Sequence, residues 1–261
     1  MEKLTKLRNW FLEKGQGVVA FSGGVDSSLV LKVGYDILGD KLLAVTATSI
    51  LNKPEELATA RRVAEEIGVK RHIILEFKDL ENPQVKANAQ DRCYHCKKAR
   101  FQAILAYAKE QGIPYVFEGS NIDDLADYRP GLKAIKELGV YSPLQEVGLT
   151  KGEIRELSRD LGLSVWDKPS EPCLATRFPT DTVLEENKII RVYQGEAFLK
   201  ELGLKQVRLR DHGNLARLEV EDTDLLTVLE KREVINKELI GLGYRYVTLD
   251  LVGYRTGSMN L

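Results

Sequence analysis

Two short stretches of this chain carry residues that could do chemistry, and a third could hold an anion. The first is Ser22-Gly23-Gly24-Val25-Asp26-Ser27-Ser28. An apolar run at 17–21 precedes it, and Leu29, Val30, Val33, Ile37 and Leu38 follow at helical spacing. The segment therefore reads as a strand, a glycine turn and a helix start. Glycine lets the backbone come close to a ligand. Amides at a helix N-terminus, with the positive end of the dipole behind them, attract phosphate. Ser22, Ser27 and Ser28 add hydroxyls. Asp26 is out of character, because a carboxylate repels phosphate. It is expected either as the N-cap or as a ligand to Mg²⁺ bridging to phosphate oxygens. An ordinary capped turn is the plainer alternative, but Ser-Gly-Gly-x-Asp-Ser favours nucleotide phosphate binding. Neither G-x-x-x-x-G-K-[ST] nor G-x-G-x-x-G occurs here.

The second stretch is Cys93-Tyr94-His95-Cys96, with Cys173 far along the chain in a proline-rich segment. An odd number of cysteines argues against a disulfide framework, and C-x₂-C favours metal or redox chemistry. Zinc would need a fourth ligand, and His95 sits awkwardly between two ligating thiols. Three thiolates also suit a [4Fe–4S] cluster with one iron open to sulfide or substrate. A redox-inert pair plus an unrelated thiol is the bland alternative. Lys97, Lys98 and Arg100 beside the first pair, and Arg177 after Cys173, would favour thiolates. They could equally be a solvated surface.

The third stretch is Val207-Arg208-Leu209-Arg210-Asp211-His212. Alternate residues of a strand share a face, so Arg208, Arg210 and His212 point together. Such a face needs anions opposite it, and arginine forks match phosphate and carboxylate. It is either solvated or a pocket for an acidic, phosphorylated small molecule. Glu196, on the preceding helix, is a salt-bridge partner or a site residue.

Elements able to position these groups are legible in the pattern. Strand-like runs fall at 17–21, 42–47, 72–76 and 114–118, with helical patterns at 27–38, 55–67 and 95–111 and an amphipathic helix at 1–15. That alternation predicts an α/β doubly wound fold with a parallel sheet, whose ligands sit beyond the carboxyl ends of the strands. Thr48 at the end of the second strand, and Gly119, Asn121 and Asp124 after the fourth, then share the rim with the glycine turn. Three of the eight prolines fall within 169–179 and mark a boundary. The expected division is a nucleotide domain at 1–168, a cysteine-bearing linker at 169–183, and a small α+β domain at 184–261 for substrate binding or oligomerisation. In that last domain a helix at 184–202, a hairpin at 206–220, a helix at 223–240 and a strand at 244–252 are expected. The tail after Arg255 reads as disordered.

The 261 residues are 43% hydrophobic and 30% charged, with net charge −1. This is ordinary for a globular protein and lacks the basic excess of a nucleic-acid binder. No apolar run approaches the roughly 20 residues of a membrane span. A cytoplasmic protein is expected.

Ser22 to Ser28 resembles the PP-loop of the ATP pyrophosphatase superfamily, which implies attack at the α-phosphorus and release of pyrophosphate. The chain as a whole resembles the LarE family of ATP-dependent sulfur transferases. The resemblance rests on that loop, on Asn121-Ile122-Asp123-Asp124 leading to Asp127-Tyr128-Arg129-Pro130-Gly131, on Pro172-Cys173-Leu174-Ala175-Thr176-Arg177, and on Val207 to Gly213. It implies adenylation of the carboxylates of pyridinium-3,5-biscarboxylic acid mononucleotide by ATP and Mg²⁺. Sulfur then replaces AMP, giving thiocarboxylates for the nickel pincer cofactor of lactate racemase. Members with one cysteine, matched by Cys173, give up its sulfur. Cys93 and Cys96 depart from that pattern, and three cysteines at these places imply a [4Fe–4S] cluster that passes on a bound sulfide. Rival readings are a tRNA thiolase, an amidating synthetase and a non-enzymatic nucleotide sensor. Near-neutral charge weighs against the first, the lack of a glutaminase domain before Ser22 against the second, and the cysteines against the third. A homo-oligomer acting on a small molecule is expected.

Overall fold

A computed structural model describes residues 2–126 and 130–255. The elements run α1 (Glu2–Lys14), β1 (Gly17–Ala20), α2 (Val25–Leu38), β2 (Leu42–Ser49), α3 (Pro54–Ile67), β3 (His72–Phe77), α4 (Pro83–Lys86), α5 (Arg92–Glu110) and β4 (Val116–Phe117). They continue with α6 (Pro130–Glu137), α7 (Pro143–Glu146), α8 (Lys151–Asp160), α9 (Glu186–Glu201), β5 (Val207–His212), β6 (Leu215–Val220), α10 (Leu225–Glu230), α11 (Arg232–Gly241) and β7 (Tyr246–Leu249). Asp127, Tyr128 and Arg129, and the tail from 256, lie outside the described residues.

The chain forms two compact units. One comprises Met1–Phe77 and Cys93–Glu171, the other Lys78–Arg92 and Pro172–Leu261. Residues 78–92, which the sequence assigns to the nucleotide domain, belong to the second unit. Their backbone is tied there, with Leu184 N donating to Lys86 O at 2.8 Å and Asp181 N to Asn88 O at 3.1 Å.

In the first unit β3-β2-β1-β4 form a wholly parallel sheet, as the α/β reading expects. Val18, Val19, Leu43, Ala44, Val45 and Phe117 are buried, so both faces of the central strands are covered. This is why those strands read as continuous apolar runs rather than alternations. Leu7 and Phe11 of α1 pack with Leu29 and Val33 of α2 in one core; Phe101 and Ile104 of α5 belong to a core with Val18 and Leu43.

In the second unit β5 and β6 pair antiparallel through the Gly213-Asn214 turn, and β7 joins β6 in parallel. The helix expected at 223–240 is interrupted at Lys231, which separates α10 from α11. The final strand is shorter than expected, because Tyr244 is drawn into the interior and its hydroxyl donates to Asp211 Oδ2 at 2.9 Å.

Candidate nucleotide site and cysteine loop

β1 ends at Ala20, and the chain turns through Gly23 before α2 begins. Gly23 has φ +71°, and a Cβ there would lie 2.8 Å from the Ala60 backbone. Both the backbone angle and the close approach require glycine. The N-cap of α2 is Gly24, not Asp26. Asp26 lies in the first turn, where its charge complements the helix dipole.

The hydroxyls knit this turn together. Ser27 Oγ donates to Gly24 O at 3.2 Å and accepts from Ser22 N at 3.2 Å. A serine has one hydroxyl proton, so in the 3.1 Å contact between the two hydroxyls Ser22 is the donor. Ser22 Oγ also accepts from Gly24 N at 3.3 Å. The loop is therefore organised before any ligand arrives.

It opens into a cleft of about 390 Å³ lined by Ser22, Gly24, Asp26, Ser27, Lys97, Arg100, Glu118, Gly119 and Asp124, with Val45, Ala47 and Phe101 among its apolar walls. That size lies within the range of small-molecule sites, roughly 300–1,000 Å³. Gly119 belongs where it is because a Cβ there would meet Ser27 N at 2.8 Å. The two strand-end loops thus touch backbone to backbone. Asn121 Nδ2 donates to Asp26 Oδ1 at 3.3 Å, and Asp124 Oδ2 accepts from Asn121 N at 3.0 Å.

Four of the expected contact residues do not line the cleft; one is Asn121, whose side chain turns to Asp26 instead. Ser28 is fully buried with its hydroxyl inside the protein, Thr48 gives way to Val45 and Ala47, and Gly23 shapes the turn from behind.

The structure adds two residues that the sequence reading did not single out. Glu118, only 5% exposed, accepts from Ser120 N at 2.9 Å, from Ser120 Oγ at 2.8 Å and from Ser142 Oγ, with Lys97 Nζ at 3.8 Å. Lys151 Nζ binds Asp26 Oδ2. Thr150-x-x-Glu153 is a capping-box pattern that marks the start of α8 and could have drawn attention to Lys151.

Behind the loop, Thr46 Oγ1 donates to Phe21 O at 2.6 Å and lies 2.7 Å from His72 Nε2. With the threonine proton committed to the carbonyl, His72 Nε2 carries the proton that joins them. Burial, aided by Arg61, lowers the His72 pKa.

Cys93 and Cys96 occupy the first turn of α5 in the first unit, Cys93 exposed and Cys96 half-buried; Cys173 is a half-buried free cysteine of the second unit. The spacing of Cys93 and Cys96 puts both on one helical face. Two thiolates three positions apart on a helix can share one metal ion. Among the described residues no group of three or more His, Cys, Asp and Glu side chains is gathered for a metal ion.

The loop carrying Cys173 is anchored by Arg177. Its Nε donates to Glu196 Oε1 at 2.7 Å and its Nη2 to Glu196 Oε2 at 3.0 Å, while Nη1 donates to Pro172 O and Thr176 Oγ1, each at 2.9 Å. Glu196 is thus a salt-bridge partner. Arg210 gives Nε and Nη2 to Glu219 Oε2 at 2.9 and 2.6 Å and Nη1 to Thr176 O at 3.0 Å. The strand register sets Arg210 opposite Arg217, a like-charge pair. Glu219 relieves it by also binding Arg217 through Oε1 at 3.2 Å. Arg208 donates to Val207 O at 2.9 Å and stacks on Tyr254. Both arginines are buried, whereas His212 is exposed and accepts from Arg217 Nε at 3.3 Å. Partial desolvation of its ring, aided by the Arg217 charge, lowers its pKa. The arginine face is therefore threaded with internal carboxylates and carbonyls.

A parallel sheet with a Ser-Gly-Gly-x-Asp-Ser turn opening into a cleft beyond its carboxyl ends defines the PP-loop class of ATP-using enzymes. The NAD synthase family matches residues 8–122. An uncharacterized protein of Synechocystis sp., slr1717, is 43% identical over 99% of this chain and 97% of its own length. The pyridinium-3,5-bisthiocarboxylic acid mononucleotide synthase of Lactiplantibacillus plantarum is 40% identical over 93% of this chain and 88% of its own. The uncharacterized protein MJ0830 of Methanocaldococcus jannaschii is 30% identical over 98% of each. The chain belongs to the LarE family of ATP-dependent sulfur transferases within the PP-loop superfamily. Among the described residues no helix is long and apolar enough to cross a membrane.

Proposed function

We propose that this protein converts the carboxylates of pyridinium-3,5-biscarboxylic acid mononucleotide to thiocarboxylates at the expense of ATP, a step toward the nickel pincer cofactor of lactate racemase. The observation that carries the reading is the cleft at the Ser22–Ser28 turn, with donors at one end and Asp26, Lys97 and Arg100 around it. The name of the Lactiplantibacillus plantarum relative supports the choice of substrate.

A carboxylate carbon resists substitution because oxide is a poor leaving group. In the proposed first step a substrate carboxylate oxygen bonds to the α-phosphorus, and the bond from that phosphorus to the bridging oxygen of the β-phosphate breaks. Pyrophosphate carries the electron pair away. On binding, Ser22, Gly24 and Ser27 would redirect donors now spent within the turn toward the charge that grows on the phosphoryl oxygens. Asp26 and Asp124 are the carboxylates that would hold Mg²⁺, which supplies further charge neutralisation there. In the second step a sulfur nucleophile bonds to the acyl carbon and AMP departs.

Cys93, Cys96 and Cys173 are the proposed ligands of a [4Fe–4S] cluster, which when bound would present sulfide for that attack. Arg208, Arg210, His212, Arg177 and Glu196 are the proposed surroundings of the substrate. The arginines' internal pairing leaves them the work of shaping that region as much as of contacting the ligand. A homo-oligomer working on this small molecule in the cytoplasm completes the proposal.

Anaerobic reconstitution with iron and sulfide, followed by metal and sulfide analysis, tests the sulfur source. Broad absorption near about 400 nm is expected of a cysteine-ligated cluster. A colourless protein loaded with zinc would remove the cluster. Loss of one sulfur and its hydrogens from Cys173 after turnover, seen by mass spectrometry, would make that cysteine the donor instead.

A further inference from the structure

Asn88 is a buried amide in a backbone conformation that few residues adopt. Its φ is +56°, in the left-handed region where asparagine is enriched, and it is 1% exposed. Burying an amide is costly unless its groups are bonded. All four polar atoms of Asn88 are. Its N donates to Val85 O and its O accepts from Asp181 N, each at 3.1 Å. Nδ2 donates to Pro179 O at 2.8 Å, and Oδ1 accepts from Arg92 Nη1.

Arg92 carries the link further, because Nη1 also donates to Ala175 O at 3.4 Å. Asn88, Arg92, Ala175 and Pro179 all belong to the second unit. Arg92 is the residue before Cys93, and Ala175 and Pro179 follow Cys173 in its loop. Arg177 grips the other end of that loop at Pro172 O. Carbonyls on both sides of Cys173 are thus held by side chains, and one of those side chains comes from the residue that leads into Cys93.

Glycine would meet the backbone angle at position 88 without strain, but it could reach neither Pro179 nor Arg92. The side chain is therefore what asparagine adds. A metal held by thiolates must order the segments that bear them, and ordering costs conformational entropy. Here folding has already ordered the Cys173 loop against Arg92. Groups that hold metal ligands in place are commonly worth about 10–100-fold in affinity.

We propose that Asn88 is a positioning residue for the thiol site, joining the chain that enters Cys93 to the loop that presents Cys173. Arg92 is its arm. The proposal rests on the reading of Cys93, Cys96 and Cys173 as ligands of one metal centre, and it adds a residue outside the cysteine motif.

The test titrates the reduced full chain with Co²⁺ under anaerobic conditions, where sulfur-to-cobalt charge-transfer absorption grows with the number of thiolates bound. Cys173→Ser sets the two-thiolate reference. The unaltered protein should exceed it. Asn88→Gly should bind Co²⁺ at least about tenfold more weakly, with absorption fallen to the reference. Its ATP affinity should stay within about twofold, since neither Asn88 nor Arg92 lines the nucleotide cleft. Arg92→Met keeps the bond from Asn88 to Pro179 and removes the arm; it should show the same loss, and it carries the test if Asn88→Gly folds poorly. Co²⁺ affinity and absorption equal to those of the unaltered protein, in either folded variant, would overturn the proposal and leave Asn88 a packing residue. ATP affinity that falls in step with Co²⁺ affinity would also overturn it, as general loosening. An unaltered protein that merely matches Cys173→Ser would overturn the three-cysteine reading beneath it.

Discussion

Arg177 and Glu196 meet fork to fork with side chains 0% and 1% exposed. The same guanidinium reaches the carbonyl of Pro172, the residue before Cys173. A buried charge pair is therefore built into the base of the loop that presents the second unit's thiol. Such a pair adds little net stability over an apolar substitute, yet breaking it strands a charge. Its use here is positional.

Arg177→Ala should cost about 3–5 kcal/mol, because Glu196 is left buried and unpaired. Urea denaturation measures the loss. Native-state alkylation of Cys173 should speed up in the same variant, since its loop loses the Pro172 tether. An alkylation rate equal to that of the unaltered protein would show that the pair does not set the loop.

Asp26→Ala should lower pyrophosphate release by about 10²-fold or more, the scale on which a charge-positioning group acts in a transition state. Isotope exchange between pyrophosphate and ATP reads this step apart from sulfur delivery. Exchange at the unaltered rate would remove Asp26 from the reaction.

Gly119→Ala forces a Cβ to within 2.8 Å of Ser27 N, a backbone atom that cannot swing away. The start of α2 must shift, at a cost of about 1–3 kcal/mol. Nucleotide binding should suffer more than stability, because the displaced atoms belong to the phosphate cradle. Calorimetric titration with ATP, set beside the melting curve, separates the two effects.

His72 gives a pH signature. Its folded pKa lies below the ordinary 6.5, chiefly through burial. The unfolded chain therefore binds the proton first as pH falls. The stability contributed by neutral His72 is present above about pH 6.5 and is lost as pH drops toward the folded value. His72→Asn should flatten the fall in Tm between neutral and mildly acidic pH. A slope unchanged by the substitution would assign the acid sensitivity to other groups.

Much of the first unit is legible because its signals are local. Strands buried on both faces print as apolar runs, and the glycine turn carries its own motif within a few residues. The alternation at Arg208 and Arg210 is also local, and it predicts a shared face. What covers that face is not local. Glu219 arrives from the neighbouring strand, and Thr176 O from the cysteine loop. The Lys151 to Asp26 contact spans 125 positions; the capping box at Thr150 announces a helix start but not where the lysine reaches. Helicity at 223–240 is visible, but the interruption at Lys231 is not, since no proline or glycine marks it. The Asp127-Tyr128-Arg129 part of the family motif lies outside the described residues.

The assignment of residues 78–92 to the second unit has a consequence for how the molecule is made. The ribosome completes this segment well before the residues from 172 onward that Lys86 and Asn88 bond with. During synthesis its apolar member Val85, 1% exposed in the finished protein, must wait without its final surroundings while the nucleotide sheet closes around β4. The second unit can thus assemble only once residues from 172 onward have been made. A messenger truncated near codon 171 would yield the first unit's sheet with all four strands present and residues 78–92 lacking their partners.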